Sequence, residues 1–222
     1  MSRTHRTMAT RAAAIAAPDY WDDACRHLGR RDRVMRKLIP QFGEARLQSR
    51  GDAFTTLARS IVGQQISVKA AQSVWGKFVE AIGMPSTRVN PSAVLGCENG
   101  CMREAGLSTR KCEYLVDLAR HFEDGLVHVK LWQQMEDESI IEELVAIRGI
   151  GRWTAEMFLM FRLHRPDVLP VGDLGIVKAI QKAYGLRKVP TADRMVRIGE
   201  PWRPYRSVAC WYLWRSLDVK TK

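Results

Sequence analysis

The fold turns on Leu144-Val145-Ala146-Ile147-Arg148-Gly149-Ile150-Gly151-Arg152-Trp153-Thr154-Ala155. Apolar residues at Ile140, Ile141, Leu144 and Val145 keep a helical period, the period stops at Gly149 to Gly151, and Met157, Phe158 and Phe161 resume it. The stretch reads as helix, tight glycine hairpin, helix. One glycine lets the backbone take a positive φ where the first helix stops, and the other leaves no side chain in front of the amides that open the second. Those amides sit at the positive end of a helix dipole, a seat for phosphate. Gly149, Gly151, Arg152 and Thr154 are therefore candidate phosphate contacts. An ordinary interhelical turn uses the same glycines, so the hairpin alone leaves both readings open.

A second motif follows. After Val168-Leu169-Pro170-Val171-Gly172 comes Asp173, heading another helical pattern through Ile176, Val177, Ile180, Ala183 and Tyr184. The pair of motifs, with its Gly/Pro-rich loop ending in an aspartate, resembles the helix-hairpin-helix (HhH-GPD) DNA glycosylase superfamily over roughly Asp52 to Leu217. Within it the chain is most similar to the 3-methyladenine DNA glycosylase II branch, in a compact form without that branch's N-terminal β domain. The resemblance implies an all-α fold of two interleaved helical subdomains flanking a DNA- and base-binding cleft.

The expected organisation is a basic tail over 1–17, N-terminal helices over 18–50 packing with the C-terminal part, a helical barrel subdomain over 51–165 that includes the hairpin at 139–161, and a catalytic loop with C-terminal helices over 166–222. Local signals agree with helices throughout. Asp52, Ser67, Asn90 and Ser108 are each placed to cap one, and Asp137 to cap the first helix of the hairpin.

The chemistry implied is base excision. Breaking an N-glycosidic bond develops positive charge on the sugar, and a fixed carboxylate facing C1′ stabilises that transition state more than the ground state. Asp173 is the candidate. It is also a good N-cap, and one oxygen capping while the other faces substrate reconciles the two roles. At Trp153 the strand-nicking members of the superfamily carry a lysine that attacks the sugar, which an indole cannot do. The resemblance thus implies a monofunctional enzyme that leaves an abasic site.

An electron-rich indole also suits a cationic base such as 3-methyladenine or 7-methylguanine. Trp153, Trp211 and Met157 are assigned to the base pocket, the last where the long-form enzyme has a tyrosine. Tyr212 and Trp214 are assigned to the core, as a helical stripe of aromatics usually is.

A flipped-out nucleotide leaves a gap that a side chain must fill. In Gly63-Gln64-Gln65-Ile66-Ser67, Gln65 falls at the superfamily's wedge position, where this branch usually presents a leucine, with Ile66 beside it. Glutamines at a helix junction also satisfy backbone groups. Arg110 and Lys111, in Gly106-Leu107-Ser108-Thr109-Arg110-Lys111, suit phosphates or solvent equally. By the resemblance, the carbonyls of Val145, Ile147 and Ile150 would hold a structural Na⁺ or K⁺ bridging the hairpin to a phosphate.

Composition sets outer limits. Thirty-five Lys and Arg against 24 Asp and Glu give a formal charge of +11 on 222 residues, which favours a polyanionic partner. No apolar run reaches the length of a membrane span. Five scattered cysteines argue for reduced thiols rather than a disulfide framework, and with Cys210 alone near the C-terminal end no iron–sulfur cluster and no required cofactor are expected. The expected protein is a monomer acting on double-stranded DNA with alkylated bases, cytoplasmic and nucleoid-associated in a bacterium, nuclear or organellar in a eukaryote. Competing readings are a non-catalytic helix-hairpin-helix DNA-binding protein and a glycosylase for oxidised or mismatched bases.

Overall fold

The computed structural model describes residues 17–48, 51–97 and 99–218, so the basic tail predicted over 1–17 lies almost wholly outside the described residues. Among the described residues there are helices and no strand, and no helix is long and apolar enough to cross a membrane.

The N-terminal helices α1 (Trp21–Arg31) and α2 (Arg33–Leu38) meet at Asp32, whose Oδ1 accepts from the amides of Val34 and Met35 at 2.7 and 3.0 Å. The other oxygen of the same buried carboxylate accepts from Tyr184 Oη at 2.6 Å and Trp202 Nε1 at 3.2 Å. One acid thus caps α2 and ties the start of the chain to its last third. Trp21 reinforces the joint, with its ring edge-on to Trp211 at 5.1 Å and its Nε1 donating to Tyr212 Oη at 3.3 Å.

The middle of the chain forms α3 (Ala53–Gly63), α4 (Val68–Ala81), α5 (Pro91–Gly96), α6 (Asn99–Glu104) and α7 (Thr109–Glu123). Asp52, Ser67, Asn90 and Ser108 cap α3, α4, α5 and α7, each accepting an amide three residues on, as their side-chain chemistry requires. α7 runs through this bundle with Cys112, Leu115, Leu118 and Ala119 buried, and Phe54 of α3 packs edge-on to its Phe122 at 5.2 Å. The hairpin helices are α8 (Asp137–Val145) and α9 (Arg152–Phe161), followed by α10 (Leu174–Ala183), α11 (Ala192–Gly199) and α12 (Arg206–Asp218). α12 packs on α10, α1 and α2, which joins the two ends of the chain.

Two expectations are corrected. Cys97 and Cys101 form a disulfide, with Cα atoms 6.7 Å apart across the short link between α5 and α6, whereas Cys25, Cys112 and Cys210 are free thiols. Asp137 is the first residue of α8 rather than its cap. Glu136 holds the cap position without a side-chain bond, and Asp137 instead faces Arg165 at 3.2 Å, because the guanidinium offers a burying carboxylate more than an amide does.

Replacing Asp32 with alanine strands the buried Trp202 indole N–H and the half-buried Tyr184 hydroxyl and uncaps α2. Urea unfolding of Asp32→Ala is expected to show a loss of about 2–4 kcal/mol; a loss under about 0.5 kcal/mol, the level of an ordinary surface change, would remove Asp32 from the joint.

Candidate active site

The loop Val168 to Gly172 turns back on itself, with the Asp173 amide donating to the Pro170 carbonyl at 3.0 Å, and delivers Asp173 to the head of α10. There its Oδ1 accepts from the Ile176 amide at 2.7 Å and from Trp214 Nε1 at 2.8 Å, while Oδ2 accepts from Trp153 Nε1 at 2.7 Å. The residue is 9% exposed. Each carboxylate oxygen offers about two acceptor positions, so Oδ1 is filled and Oδ2 keeps one. The expected cap is present on Oδ1, and an indole N–H is added on each oxygen.

Close packing makes that possible. A Cβ on Gly175 would stand 3.0 Å from Asp173 Oδ1 and 3.0 Å from the Trp214 ring, so glycine there lets α12 bring its indole to the acid. Phe161 of α9 backs the same ring at 5.6 Å.

In the hairpin, Gly149 has φ +87°, and a Cβ on it would fall 2.2 Å from the Tyr114 ring. No side chain larger than hydrogen fits. Gly151 is the N-cap of α9 with φ −94°; nothing lies within 4 Å of where its Cβ would be, and no side chain caps the helix. The two glycines have the separate uses expected of them. Thr154 is half-buried in the first turn of α9.

Arg152 is paired with carboxylates in the structure. It makes two bonds to Glu138, at 2.6 and 2.8 Å, and one to Glu156 at 3.3 Å, which cross-links α8 to α9. The hydrogen bonds to Glu138, followed by the charges of Glu138 and Glu156, raise the guanidinium pKa further against partial burial. Glu156 is itself buried, and desolvation lifts its pKa above the ordinary 4.5 against the lowering effect of Arg152, with Asp173 adding to the rise.

At the wedge turn, Gln65 is exposed with φ +59°, and Ile66 beside it is 39% exposed. Gln64 has the structural task, its Nε2 donating to the Gly149 carbonyl at 2.8 Å. Lys111 is partly buried and turned towards the backbone. Its Nζ donates to the carbonyls of Val62 and Gln64 at 2.7 and 2.8 Å, because α3 ends there with acceptors unfilled.

The base-pocket set divides. Trp153 is 52% exposed while its N–H holds Asp173, so its ring faces solvent beside the acid. Met157 lies one turn on along α9, half-buried against the core. Trp211 is buried among Trp21, Phe42 and Tyr212 with Arg215 over its ring, and the indole of α12 that reaches Asp173 is Trp214, not a core residue as its helical spacing suggests. The two differ by three positions on one helix, and only the packing of α10 against α12 separates them. Val145 is exposed, and Ile147 and Ile150 are buried; the Ile147 carbonyl accepts from the Ile150 amide at 3.1 Å and keeps a second acceptor position.

The sequence profile described as "HhH-GPD superfamily base excision DNA repair protein" matches residues 58–204, from α3 through the hairpin and Asp173. The chain belongs to the HhH-GPD superfamily. Its relatives there include DNA-3-methyladenine glycosylase 1 of Schizosaccharomyces pombe, 33% identical over 81% of this chain and 79% of that protein. The putative DNA-3-methyladenine glycosylase YfjP of Bacillus subtilis is 33% identical over 74% of this chain, which spans 59% of that relative's length. Among solved structures, a DNA-3-methyladenine glycosidase from Bacillus halodurans superposes with a TM-score of 0.79 at 35% identity, covering 87% of this chain and 88% of that one. The Schizosaccharomyces pombe 3-methyladenine DNA glycosylase in complex with abasic DNA superposes with a TM-score of 0.77 at 30% identity, covering 90% and 100%. This HhH-GPD chain is homologous to DNA-3-methyladenine glycosylases.

Sequence reasoning missed Trp214, Gly175, Glu156 and the inward turn of Lys111. Trp214 lies beyond the matched range, but Gly175, a glycine inside a good helix two residues after the candidate acid, was an available signal of a close approach.

The raised pKa of Glu156 has a signed consequence. An acid that holds its proton more tightly when folded is stabilising below its unfolded pKa, and that contribution is lost as pH rises through the folded one. Glu156→Gln removes the penalty of burying the charge while leaving an acceptor for Arg152. Its stability relative to wild type is therefore expected to grow between about pH 4.5 and neutrality, read from urea midpoints at several pH values; a difference independent of pH would contradict the assignment.

Proposed function

We propose that this protein is a monofunctional DNA glycosylase that flips alkylated purines of the 3-methyladenine and 7-methylguanine type out of the duplex and hydrolyses their N-glycosidic bonds. The observation that carries the reading is the carboxylate of Asp173, fixed by two indole N–H groups and a helix amide with one acceptor position of Oδ2 left over. A held charge of this kind need not reorganise when the sugar becomes cationic, so it stabilises the transition state. The remaining position on Oδ2 is open to the developing cation or to the attacking water.

Trp153 supports the substrate class and the absence of lyase chemistry together. Its exposed face offers π density to a base that carries positive charge, and it has no amine to attack C1′. An alkylated purine is already a good leaving group, so a single acid suffices. Duplex is held by the uncapped amides of α9 beyond Gly151 and by the net charge of +11, and Gln65 with Ile66 fills the vacated stack. Arg152, exposed and with two guanidinium donors beyond its bonds to Glu138 and Glu156, joins the phosphate contacts.

A Na⁺ or K⁺ ion belongs to the proposal at the carbonyls of Val145, Ile147 and Ile150. Neutral oxygen donors at a helix end, one with its spare acceptor position, fit a hard monovalent cation, which would add positive charge towards a phosphate. The reaction needs no iron–sulfur cluster or other cofactor. The protein acts as a monomer wherever the DNA is, on the nucleoid in a bacterium and in the nucleus or organelle in a eukaryote.

The test is chromatography of bases released from methylated duplex. Wild type is expected to free 3-methyladenine or 7-methylguanine without forming a borohydride-trapped adduct. Asp173→Asn is expected to lower the rate by about 10²–10³-fold while still binding duplex. No released purine would defeat the substrate class, and full activity in Asp173→Asn would defeat the mechanism.

A further inference from the structure

The turn at Gln64 to Ile66 and the hairpin at Arg148 to Gly151 are far apart in sequence, yet one stripe of α7 holds both. Lys111 Nζ bonds the carbonyls of Val62 and Gln64 at 2.7 and 2.8 Å. One turn along, the Tyr114 ring packs against Gly149 so closely that no Cβ fits there. After a further turn Asp117 Oδ2 accepts from the Arg148 amide at 2.8 Å. Residues 111, 114 and 117 follow one another as i, i+3 neighbours along the helix. The Gln64 side chain closes the circuit, donating to the Gly149 carbonyl at 2.8 Å.

The turn needs such a hold. Gln65 has φ +59°, a left-handed conformation that is costly for a non-glycine residue and persists only where its surroundings impose it. α3 ends in unfilled carbonyls, and a cation at that end is favoured by the dipole. A lysine reaching over from another helix does more than cap, since it fixes the turn to the element that carries the hairpin.

We propose that Lys111 is the positioning residue of the wedge: bonded to the carbonyls of Val62 and Gln64, it sets the angle at which Gln65 and Ile66 enter the duplex and, through Gln64 and Gly149, locks that angle to the phosphate-gripping hairpin. This rests on the reading of Gln65 and Ile66 as the wedge. Lys111 touches neither base nor sugar; it acts through the backbone of the turn. Duplex affinity, which depends on phosphate contacts, is separable from insertion, which depends on the turn.

The probe is a duplex carrying a tetrahydrofuran abasic analogue next to 2-aminopurine, whose fluorescence rises when its neighbour stack is opened. With saturating protein, Lys111→Met is expected to lose most of the wild-type rise. Its single-turnover release of 7-methylguanine is expected to fall about tenfold or more, the scale of a small misplacement, while affinity for undamaged duplex stays within about twofold at each salt concentration. Lys111→Arg, which keeps donors at the carbonyls, recovers most of the signal.

A full fluorescence rise in Lys111→Met overturns the proposal. So does weaker binding with a shallower salt dependence, which would put the ammonium on a phosphate. If Lys111→Met is unfolded at the assay temperature, Gln64→Leu carries the same comparison from the other end of the link, with the same expected loss and the same overturning result. The double variant Gln65→Ala, Ile66→Ala separates the two claims. Wild-type fluorescence and rate in that variant defeat the wedge reading itself, whereas loss there with none in Lys111→Met defeats only the role of Lys111.

Discussion

The structure depends on how a carboxylate can be held nearly buried at the head of a helix. Asp173 meets the condition by accepting one backbone amide and two indole N–H groups, from α10, α12 and α9. Each donor offsets part of the cost of taking the charge out of water. Three helices from different parts of the chain must therefore arrive together, and most of the fold arranges that arrival. Gly175 lets α12 close on α10, Phe161 backs the Trp214 ring, and Asp32 with Trp21 fastens the C-terminal helices to the N-terminal pair.

The hairpin is bound to the same constraint by Trp153, which follows Gly151 by two residues and donates to Asp173. The amides that open α9 and the acid are thereby held in one rigid relation, the relation on which the proposed mechanism rests. α7 adds the third part by fixing the wedge turn to the hairpin through Lys111, Tyr114, Asp117 and Gln64. The HhH-GPD match spans all three parts, from α3 through the hairpin to Asp173.

What was legible in the sequence was local. Caps at Asp52, Ser67, Asn90, Ser108 and Asp173 are read from a side chain and the amide three residues on, and the glycine hairpin from a break in period. What was not legible was rotational or long-range. Trp211 and Trp214 share α12, and which indole meets the acid is decided by helix packing, not by the period. Arg152 and Lys111 read as free cations because charge in a sequence does not disclose its partner; in the fold one is claimed by Glu138 and Glu156, the other by two carbonyls. The Cys97 to Cys101 disulfide was missed for a similar reason, since an odd number of cysteines argues against a framework and not against one local bridge.

The central claim is that Asp173 is a preorganised anion directed at positive charge on the sugar. The most direct measurement compares affinity for two duplexes that differ only at the abasic position, one carrying a cationic pyrrolidine and the other a neutral tetrahydrofuran. Wild type is expected to prefer the cationic duplex by about tenfold or more, as a site complementary to the transition state should, and Asp173→Asn to lose that preference while binding the neutral duplex as before. Equal affinity of wild type for the two duplexes, or a preference that survives in Asp173→Asn, would contradict the account.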